Sequence, residues 1–285
     1  MDGFTLLASG FGSIEGPAID DEGGLYFSDV PNGGVYRLWP NGQVETIVPR
    51  RKGVGGIVLH ADGGIVVAGR DVSWVVNGRT EVILSRADLP SEPLAPTGFN
   101  DMCADGQGRI FAGVLRRDVS GEMGGYQLLM IEKPGTAVAV DVGSGTLPNG
   151  AATSPDGRWL YHADTEAKSI AVLDMTDGAG IPTVRRRIST AAVPGGPDGM
   201  AVDVEGGIWA AMYQGGAIAR FTPDGAVDRV IEVPARDALN LCFTGPDLED
   251  VVVVTQDNTE SPERAGCIFR TSVGVQGIPA GRARV

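Results

Sequence analysis

Oxygen-bearing side chains recur in this sequence just ahead of apolar, strand-like runs. Each run is followed by a turn rich in Asp and Gly, and then by a second apolar run. Carboxylate and amide oxygens are the donors that hard divalent cations prefer, so their recurrence at one position of a repeat is a candidate metal site. Four stretches carry the pattern: Glu15-Gly16-Pro17-Ala18, Asn100-Asp101-Met102, Asn149-Gly150-Ala151 and Asp198-Gly199-Met200.

The elements that must position these side chains form a repeat. Six similar segments start at residues 18, 57, 102, 151, 200 and 241, so successive starts are 39, 45, 49, 49 and 41 residues apart. Spacings of roughly 40–50 residues are typical of the four-stranded blades of a propeller. We therefore predict an all-β protein, a six-bladed β-propeller with four-stranded antiparallel blades around a central metal-bearing channel. Residues 1–285 are predicted to form a single domain.

A ring of blades must be closed, because an open edge strand invites aggregation. The sequence offers one closure, in which the N-terminal segment Phe4–Ala8 pairs beside strands of the last repeat. That repeat includes the apolar stretch Cys267–Arg270. We predict that these two distant segments share the sixth blade.

The repeat phase predicts which side chains meet on the axis. The first strand of each propeller blade lies nearest the channel, and counting back two residues from the segment starts gives Asn100, Asn149 and Asp198 in blades three to five. In blade one, Glu15 lies three residues back, and in blade six the same count gives Leu239. We predict that Glu15, Asn149 and Asp198 bind one cation, with Asn100 beside them. Taken singly, however, the Asn-Gly and Asp-Gly pairs favour tight turns, and Glu15 would be an ordinary surface residue.

The donor set favours an oxygen-binding metal. Two carboxylates and amide oxygens suit Ca²⁺, which is our first candidate, while Mg²⁺, Mn²⁺, Fe²⁺ and Zn²⁺ stay open. The sequence has only two histidines, His60 and His162, which excludes the usual multi-histidine zinc site.

Composition excludes other classes of function. A net charge of −13 argues against nucleic-acid binding. No apolar run approaches the roughly 18 residues that would cross a membrane, and residues 1–14 lack the features of a signal peptide. The three cysteines, Cys103, Cys242 and Cys267, have no metal-binding spacing and favour reduced, buried thiols. We expect a cytoplasmic monomer or small homo-oligomer that acts on a small-molecule substrate.

Six motifs carry a resemblance to a known family: Glu15-Gly16-Pro17, Asn100-Asp101, Leu147-Pro148-Asn149-Gly150, Ser154-Pro155-Asp156-Gly157, Pro197-Asp198-Gly199-Met200-Ala201-Val202-Asp203 and Gly245-Pro246-Asp247-Leu248. In these motifs the sequence resembles the senescence marker protein-30/gluconolactonase/luciferin-regenerating-enzyme family, along nearly its whole length. The resemblance implies a six-bladed propeller with one catalytic divalent metal, Glu15, Asn149 and Asp198 as its ligands, and Asn100 as a contact of substrate or of water at the metal. Glu122 falls near a substrate-binding position of the family.

One position departs from the family. The family often has Arg two residues before the Asn of the Asn-Asp pair, where this sequence has Gly98. Losing a guanidinium removes a fork of hydrogen-bond donors and opens space, which makes a less polar substrate than a sugar lactone plausible. Five side chains are candidates for the lining of such a pocket, with core packing as the alternative: Trp74, Phe99, Met123, Met212 and Tyr213.

These observations predict a metal-dependent lactone hydrolase. The metal would act as a Lewis acid on the lactone carbonyl, and Asp198 would orient or deprotonate the attacking water. Three alternatives stay open: an organophosphate hydrolase on the same site, a metal-assisted lyase or isomerase, and a propeller that binds a ligand without chemistry.

Overall fold

The computed structural model describes residues 3–91, 94–118, 120–143, 145, 147–176, 180–256 and 265–285, without the side chains of Met123 and Tyr126. Within these residues the strands form six four-stranded antiparallel sheets. The first three sheets are blade one, β2 (Ile14–Ile19), β3 (Leu25–Asp29), β4 (Gly34–Leu38) and β5 (Val44–Pro49); blade two, β6 (Ile57–Leu59), β7 (Ile65–Val67), β8 (Asp71–Val76) and β9 (Arg79–Ser85); and blade three, β10 (Ala95–Ala104), β11 (Ile110–Arg117), β12 (Met123–Lys133) and β13 (Thr136–Val140).

The remaining sheets complete a six-bladed propeller, as the repeat predicted. A single 3₁₀ turn, Arg86–Asp88, is the one helical segment of the described chain. The sheets are blade four, β14 (Pro148–Thr153), β15 (Trp159–Asp164), β16 (Ser169–Asp174) and β17 (Thr183–Ser189); blade five, β18 (Gly196–Val202), β19 (Ile208–Tyr213), β20 (Ala217–Phe221) and β21 (Val227–Glu232); and blade six, β22 (Ala238–Thr244), β23 (Asp250–Thr255), β24 (Ile268–Ser272) and β1 (Thr5–Ala8).

The ring closes through the two ends of the chain. β1 pairs antiparallel with β24, with Thr5 opposite Arg270 and Leu6 opposite Phe269. This confirms the predicted closure. The innermost strands contact one another in the cyclic order β2, β6, β10, β14, β18, β22 and back to β2, so the starts of all six blades surround one axis.

The core lies between the blades. Six apolar clusters of buried residues each join two neighbouring blades, and together they cover all six blade–blade interfaces. Between blades five and six, for example, Trp209 is fully buried and meets Phe243 edge-on, with ring centroids 6.3 Å apart. Burial of these faces holds the blades around the axis.

Aspartate-capped turns set the first hairpin of alternate blades. The carboxylates of Asp20, Asp105 and Asp203 each accept hydrogen bonds from the backbone N–H groups two and four residues later, at 2.8–3.0 Å. Side-chain bonds of this kind replace backbone pairing in a tight turn. These are the Asp- and Gly-rich turns that the sequence predicted between the paired apolar runs.

The innermost strands are bulged where the predicted site residues lie. In blades one, three, four and five, two residues of the inner strand face a single residue of the next strand. Such a bulge interrupts the ladder and re-aims the side chains it carries. Asn149 and Asp198 therefore lie within strands β14 and β18, and the alternative reading of their Asn-Gly and Asp-Gly pairs as tight turns is wrong.

The three cysteines were expected to be reduced and buried. Cys103, Cys242 and Cys267 are free thiols. Only Cys267 is fully buried, while the other two are half-buried, so the expectation of three buried thiols is corrected for those two.

In the described part of the chain no helix has the length and apolar character needed to cross a membrane.

Candidate functional site

The four predicted side chains line one cavity at the end of the ring where the inner strands begin. The cavity measures about 540 Å³, and Glu15, Asn100, Asn149 and Asp198 all contribute to its wall. Each residue belongs to a different blade, and each lies at or beside the bulge of its inner strand. Residues that are up to 183 positions apart in the sequence are thus brought together by the ring closure.

Hydrogen bonds orient the two asparagines. The Asn149 Nδ2 amide donates to Thr165 Oγ1 at 2.6 Å, and Thr165 in turn donates to the Pro197 carbonyl at 2.8 Å. The Asn100 amide donates to the Pro148 carbonyl at 2.8 Å and to Asn149 Oδ1 at 2.5 Å. The Asn149 nitrogen is thus engaged by Thr165 and its oxygen by Asn100. The oxygen Oδ1 has a second lone pair, so it is the Asn149 atom that could also bind a cation.

Burying the carboxylates of Glu15 and Asp198 in their charged forms costs free energy, and a bound cation would offset that cost. Burial, together with repulsion from Asp101, raises the pKa of Glu15 from 4.5 to about 8. Burial and repulsion from Glu15 and Asp101 raise the pKa of Asp198 well above its usual range. Asp198 Oδ1 is buried and has no hydrogen-bond partner in the described chain. An orphaned carboxylate oxygen beside other acidic groups is a place where an unpaired charge is costly unless a cation lies there.

Asp101 and Asn240 also belong to the candidate site, although the repeat phase did not predict them. The Asn240 Nδ2 amide donates to Glu15 Oε2 at 3.2 Å and to Asp101 Oδ2 at 3.0 Å, so it separates two carboxylates. Asp101 occupies the bulge position next to Asn100, where its burial raises its pKa to about 6. The bulge of blade six inserts a single residue between Ala238 and Asn240, so counting back two residues gave Leu239 although Asn240 is the residue in contact. The Asn-Asp pair itself was the only sequence signal for Asp101.

The donor set fits a hard divalent cation. Glu15 and Asp198 supply carboxylate oxygens and Asn149 an amide oxygen, which are the donors of Ca²⁺ and Mg²⁺ sites. Within the described chain, no three His, Cys, Asp or Glu side chains are grouped to hold a metal, so the amide oxygen is a necessary part of this set. Neither histidine lines the cavity: His60 stacks on Trp74, and His162 is buried in blade four.

Some predicted residues lie elsewhere. Glu122 is exposed in the β11–β12 hairpin, where its backbone N–H donates to Asp118 Oδ1 at 3.0 Å, and it is absent from the cavity wall. The hairpin is at the cavity end of blade three, so a substrate contact for Glu122 stays a prediction. Phe99 and Tyr213 line the cavity, whereas Trp74 and Met212 do not. The side chain of Met123 lies outside the described residues.

The Gly98 position has a steric explanation. Gly98 lines the cavity, and a Cβ atom placed on it would lie 3.0 Å from the Gly69 carbonyl oxygen. That carbonyl accepts a hydrogen bond from the Phe99 N–H at 2.7 Å, which ties blade three to blade two. A larger side chain at position 98 would have to displace the backbone of blade two. The close contact between the blades therefore favours glycine at this position, where the family often has arginine.

Comparisons with known proteins agree with the fold. The SMP-30/Gluconolactonase/LRE-like region matches residues 14–257, more than half of the chain. The pentonolactonase XacC of Haloferax volcanii is 30% identical over 95% of this chain and 94% of its own length. The 6-deoxy-6-sulfogluconolactonase of Pseudomonas putida is 32% identical over 89% and 88%, and the regucalcin of Danio rerio 31% over 83% and 82%.

Solved structures share the architecture at lower identity. A luciferin-regenerating enzyme superposes with a TM-score of 0.83 at 20% identity, covering 99% of both chains. A calcium-binding protein, regucalcin, from Agrobacterium tumefaciens has a TM-score of 0.83 at 22% identity, covering 99% of this chain and 97% of its own. These likenesses show the propeller fold. Together with the match over residues 14–257, they establish that this chain belongs to the SMP-30/gluconolactonase/LRE-like family.

Proposed function

We propose that this protein is a lactone hydrolase that needs one divalent cation. The observation that carries the proposal is the orphaned, buried Asp198 Oδ1, which lines one cavity together with Glu15 and Asn149. Two relatives are named as lactonases, which supports this reaction class. A small-molecule lactone fits a cavity of about 540 Å³.

Glu15, Asn149 and Asp198 would hold the cation. When bound, a divalent cation polarises the lactone carbonyl and lowers the pKa of water, which is the chemistry that ring opening requires. Ca²⁺ is the first candidate for this all-oxygen set, and Mg²⁺, Mn²⁺, Fe²⁺ and Zn²⁺ are tested beside it.

Asp198 takes the proton of the attacking water in this proposal. The water oxygen bonds to the carbonyl carbon, the bond from that carbon to the ring oxygen breaks, and Asp198 returns its proton to the ring oxygen, which leaves as a hydroxyl group. The product is the open hydroxy acid. Asn100 contacts Asn149 Oδ1, so it positions the amide ligand and lies beside the substrate.

The test is a lactone screen with metal control. Protein treated with EDTA is assayed for acid release from a panel of lactones, before and after addition of each metal, and a phosphotriester is assayed in parallel. We expect lactone turnover that EDTA abolishes and Ca²⁺ restores. Faster turnover of the phosphotriester would replace the proposal by an organophosphate hydrolase. Metal binding without turnover of any lactone or phosphotriester would contradict both hydrolase functions.

Substitution of Asp198 tests its assigned role. We expect Asp198→Ala to lower kcat by about 100-fold or more, because it removes a ligand and the proton acceptor. The fold should persist, since the substitution removes a buried charge with an orphaned oxygen. Circular dichroism checks the fold, and Asp224→Ala, which removes an exposed carboxylate, is the matched control. Full turnover by Asp198→Ala with metal present would refute the assignment.

The three free cysteines are compatible with a reducing compartment, and we propose the cytoplasm as the location.

A further inference from the structure

The cavity wall is electrostatically one-sided. Lys52 and Arg70 line it from the loops that lead into β6 and β8 of blade two. On the other side, from blades three to six, Asp198 is the only charged side chain among the described wall residues. The rest of that side consists of Thr97, Gly98, Phe99, Asn100, Leu115, Leu147, Asn149, Tyr213, Leu239 and Gln256. Among the described residues of the wall, only Glu15 and Asp198 are acidic, and both belong to the candidate metal site.

The two cations leave adjacent loops. A Cβ atom placed on Gly69 would lie 3.0 Å from the Gly53 carbonyl oxygen and 3.7 Å from that of Lys52. Gly53 and Gly69 also line the cavity. The backbones therefore touch beside the two charged residues, and Lys52 and Arg70 form one positive patch at the rim. We call this patch the rim pair.

The charged groups of the rim pair make little contact with the rest of the described chain. Both residues are exposed. Arg70 has a single ion-pair contact, Nε to Asp71 Oδ2 at 4.0 Å, and that carboxylate group already accepts from Ser85 Oγ at 2.8 Å. Lys52 has no hydrogen bond or ion pair in the described part of the chain. The neighbouring Arg51 contrasts with them, because it donates to Ser73 Oγ and to the Asp71 carbonyl and so ties the loop to the blade.

A neutral ligand would not use the positive charge of the two exposed side chains of the rim pair. The chain as a whole carries a net charge of −13, which repels an anion everywhere except near a local positive patch. Guanidinium and ammonium groups bind carboxylate, sulfonate or phosphate oxygens by charge-assisted hydrogen bonds. A positive patch at the mouth of a cavity also draws anions to it from solution.

We propose that the substrate carries an anionic oxyacid group, which the rim pair binds while the lactone ring lies against Glu15, Asn149 and Asp198. The inference rests on the proposed lactonase function and names the class of lactone. It is an alternative to the less polar substrate expected from Gly98, because Lys52 and Arg70 of blade two supply positive charge that a guanidinium at position 98 of blade three would have supplied.

The test compares two lactones that differ at one terminal group, which is neutral in one and anionic in the other. D-Gluconolactone and the D-glucarolactone of the same ring size differ by a terminal hydroxymethyl group and a terminal carboxylate. Each is assayed with the Ca²⁺-loaded wild type and with the double variant Lys52→Ala/Arg70→Ala. The matched control is Arg79→Ala/Lys133→Ala, which removes two exposed cations from hairpins at the opposite end of the blades.

We expect the wild type to prefer the carboxylate lactone in kcat/KM. The double variant should lose about 10-fold for that lactone, mainly through KM, and less than about 2-fold for the neutral one, as expected for two partly solvated charged contacts. Raised salt should weaken the preference, since exposed charges are screened. The control variant should behave as the wild type does.

The outcomes separate the two proposals. If the wild type opens both lactones without preference, or if the double variant loses equally for both, the anionic class is wrong and the lactonase function stands. If neither lactone is opened, the lactonase function lacks support. Calorimetric binding of D-glucarate then tests whether the rim pair binds an anionic group. Equal binding by the wild type and the double variant would then overturn it.

Discussion

At the scale of residues, the candidate site brings together acidic groups whose ionised forms are costly to bury. Glu15, Asp101 and Asp198 are acidic groups whose pKa values are all raised by burial. Asn240 separates two of these groups with its amide, and Asp198 Oδ1 is left without a partner in the described chain. A cation among these groups would favour their ionised forms, so metal binding and proton release should be linked.

This linkage predicts how stability depends on pH. A raised carboxyl pKa stabilises the fold below the ordinary pKa, and this contribution is lost as pH rises from about 4.5 toward about 8, the shifted pKa of Glu15. We expect the Tm of the chelated wild type to fall relative to that of Glu15→Gln across this window. The stabilisation by saturating Ca²⁺ should grow across the same window. Thermal denaturation at a series of pH values measures both.

The control for this prediction is Asp224→Asn, which neutralises an exposed carboxyl outside the cavity. It should leave the Tm difference from the wild type constant across the window. A Tm difference between the wild type and Glu15→Gln that does not change with pH would contradict the assigned burial of charge.

At the scale of elements, bulged inner strands and their glycines create the site. The bulges turn Asn149 and Asp198 toward the axis, and the following glycines let neighbouring blades approach. A Cβ atom placed on Gly150 would lie 2.4 Å from the Asp198 carbonyl oxygen, and one placed on Gly199 would lie 1.9 Å from Asn240 Cγ. No side chain fits at these distances, so each polar residue is followed by glycine for reasons of packing between blades.

Gly199→Ala tests this packing role. We expect it to destabilise the protein by about 1–3 kcal/mol, because the added methyl group must displace Asn240 or the inner strand of blade six. Because Asn240 contacts Glu15, Ca²⁺ affinity should fall as well. Denaturant unfolding and calorimetry measure the two effects.

Gly106→Ala is the matched control for this substitution, since no atom lies within 4 Å of its Cβ position. It should change stability and Ca²⁺ affinity little. Equal stability of the Gly199→Ala and Gly106→Ala variants would contradict the close packing of Gly199 against Asn240.

At the scale of the whole molecule, ring closure joins sequence ends to build one blade. β1 supplies the outer strand of blade six and pairs with β24. Blade six carries Asn240, and it packs on blade one through the cluster that includes Ile14 and Val252. We propose that residues 1–285 form one domain, because the apolar interfaces run around the whole ring without a break among the described residues.

Deleting residues 1–9 tests the closure. We expect a single unfolding transition with a Tm lowered by about 5 °C or more, because the outer strand and its pairing are lost. Aggregation should increase, since the deletion exposes the β24 edge. Calorimetry and light scattering measure these effects. A Tm equal to that of the full chain would contradict the stabilising role of β1, and two separate transitions would contradict the single domain.

The sequence by itself determined the repeat, the blade number, the closing strand and the shared phase of Asn100, Asn149 and Asp198. These follow from local patterns, because turn residues and alternating apolar runs act within a few neighbours. Asn149 and Asp198 could be predicted to share one axis from that phase, whereas Glu15 lies one position away from it.

Only the tertiary structure decided which other groups surround them. Asn240 lies in a bulge with one inserted residue, which the sequence does not show, and it reaches Glu15 from 225 positions away. Lys52 and Arg70 reach the cavity through the contact of two loops, whereas Glu122 stays exposed. These placements depend on how blades pack against one another, and that packing is set by contacts between distant segments and not by any local pattern.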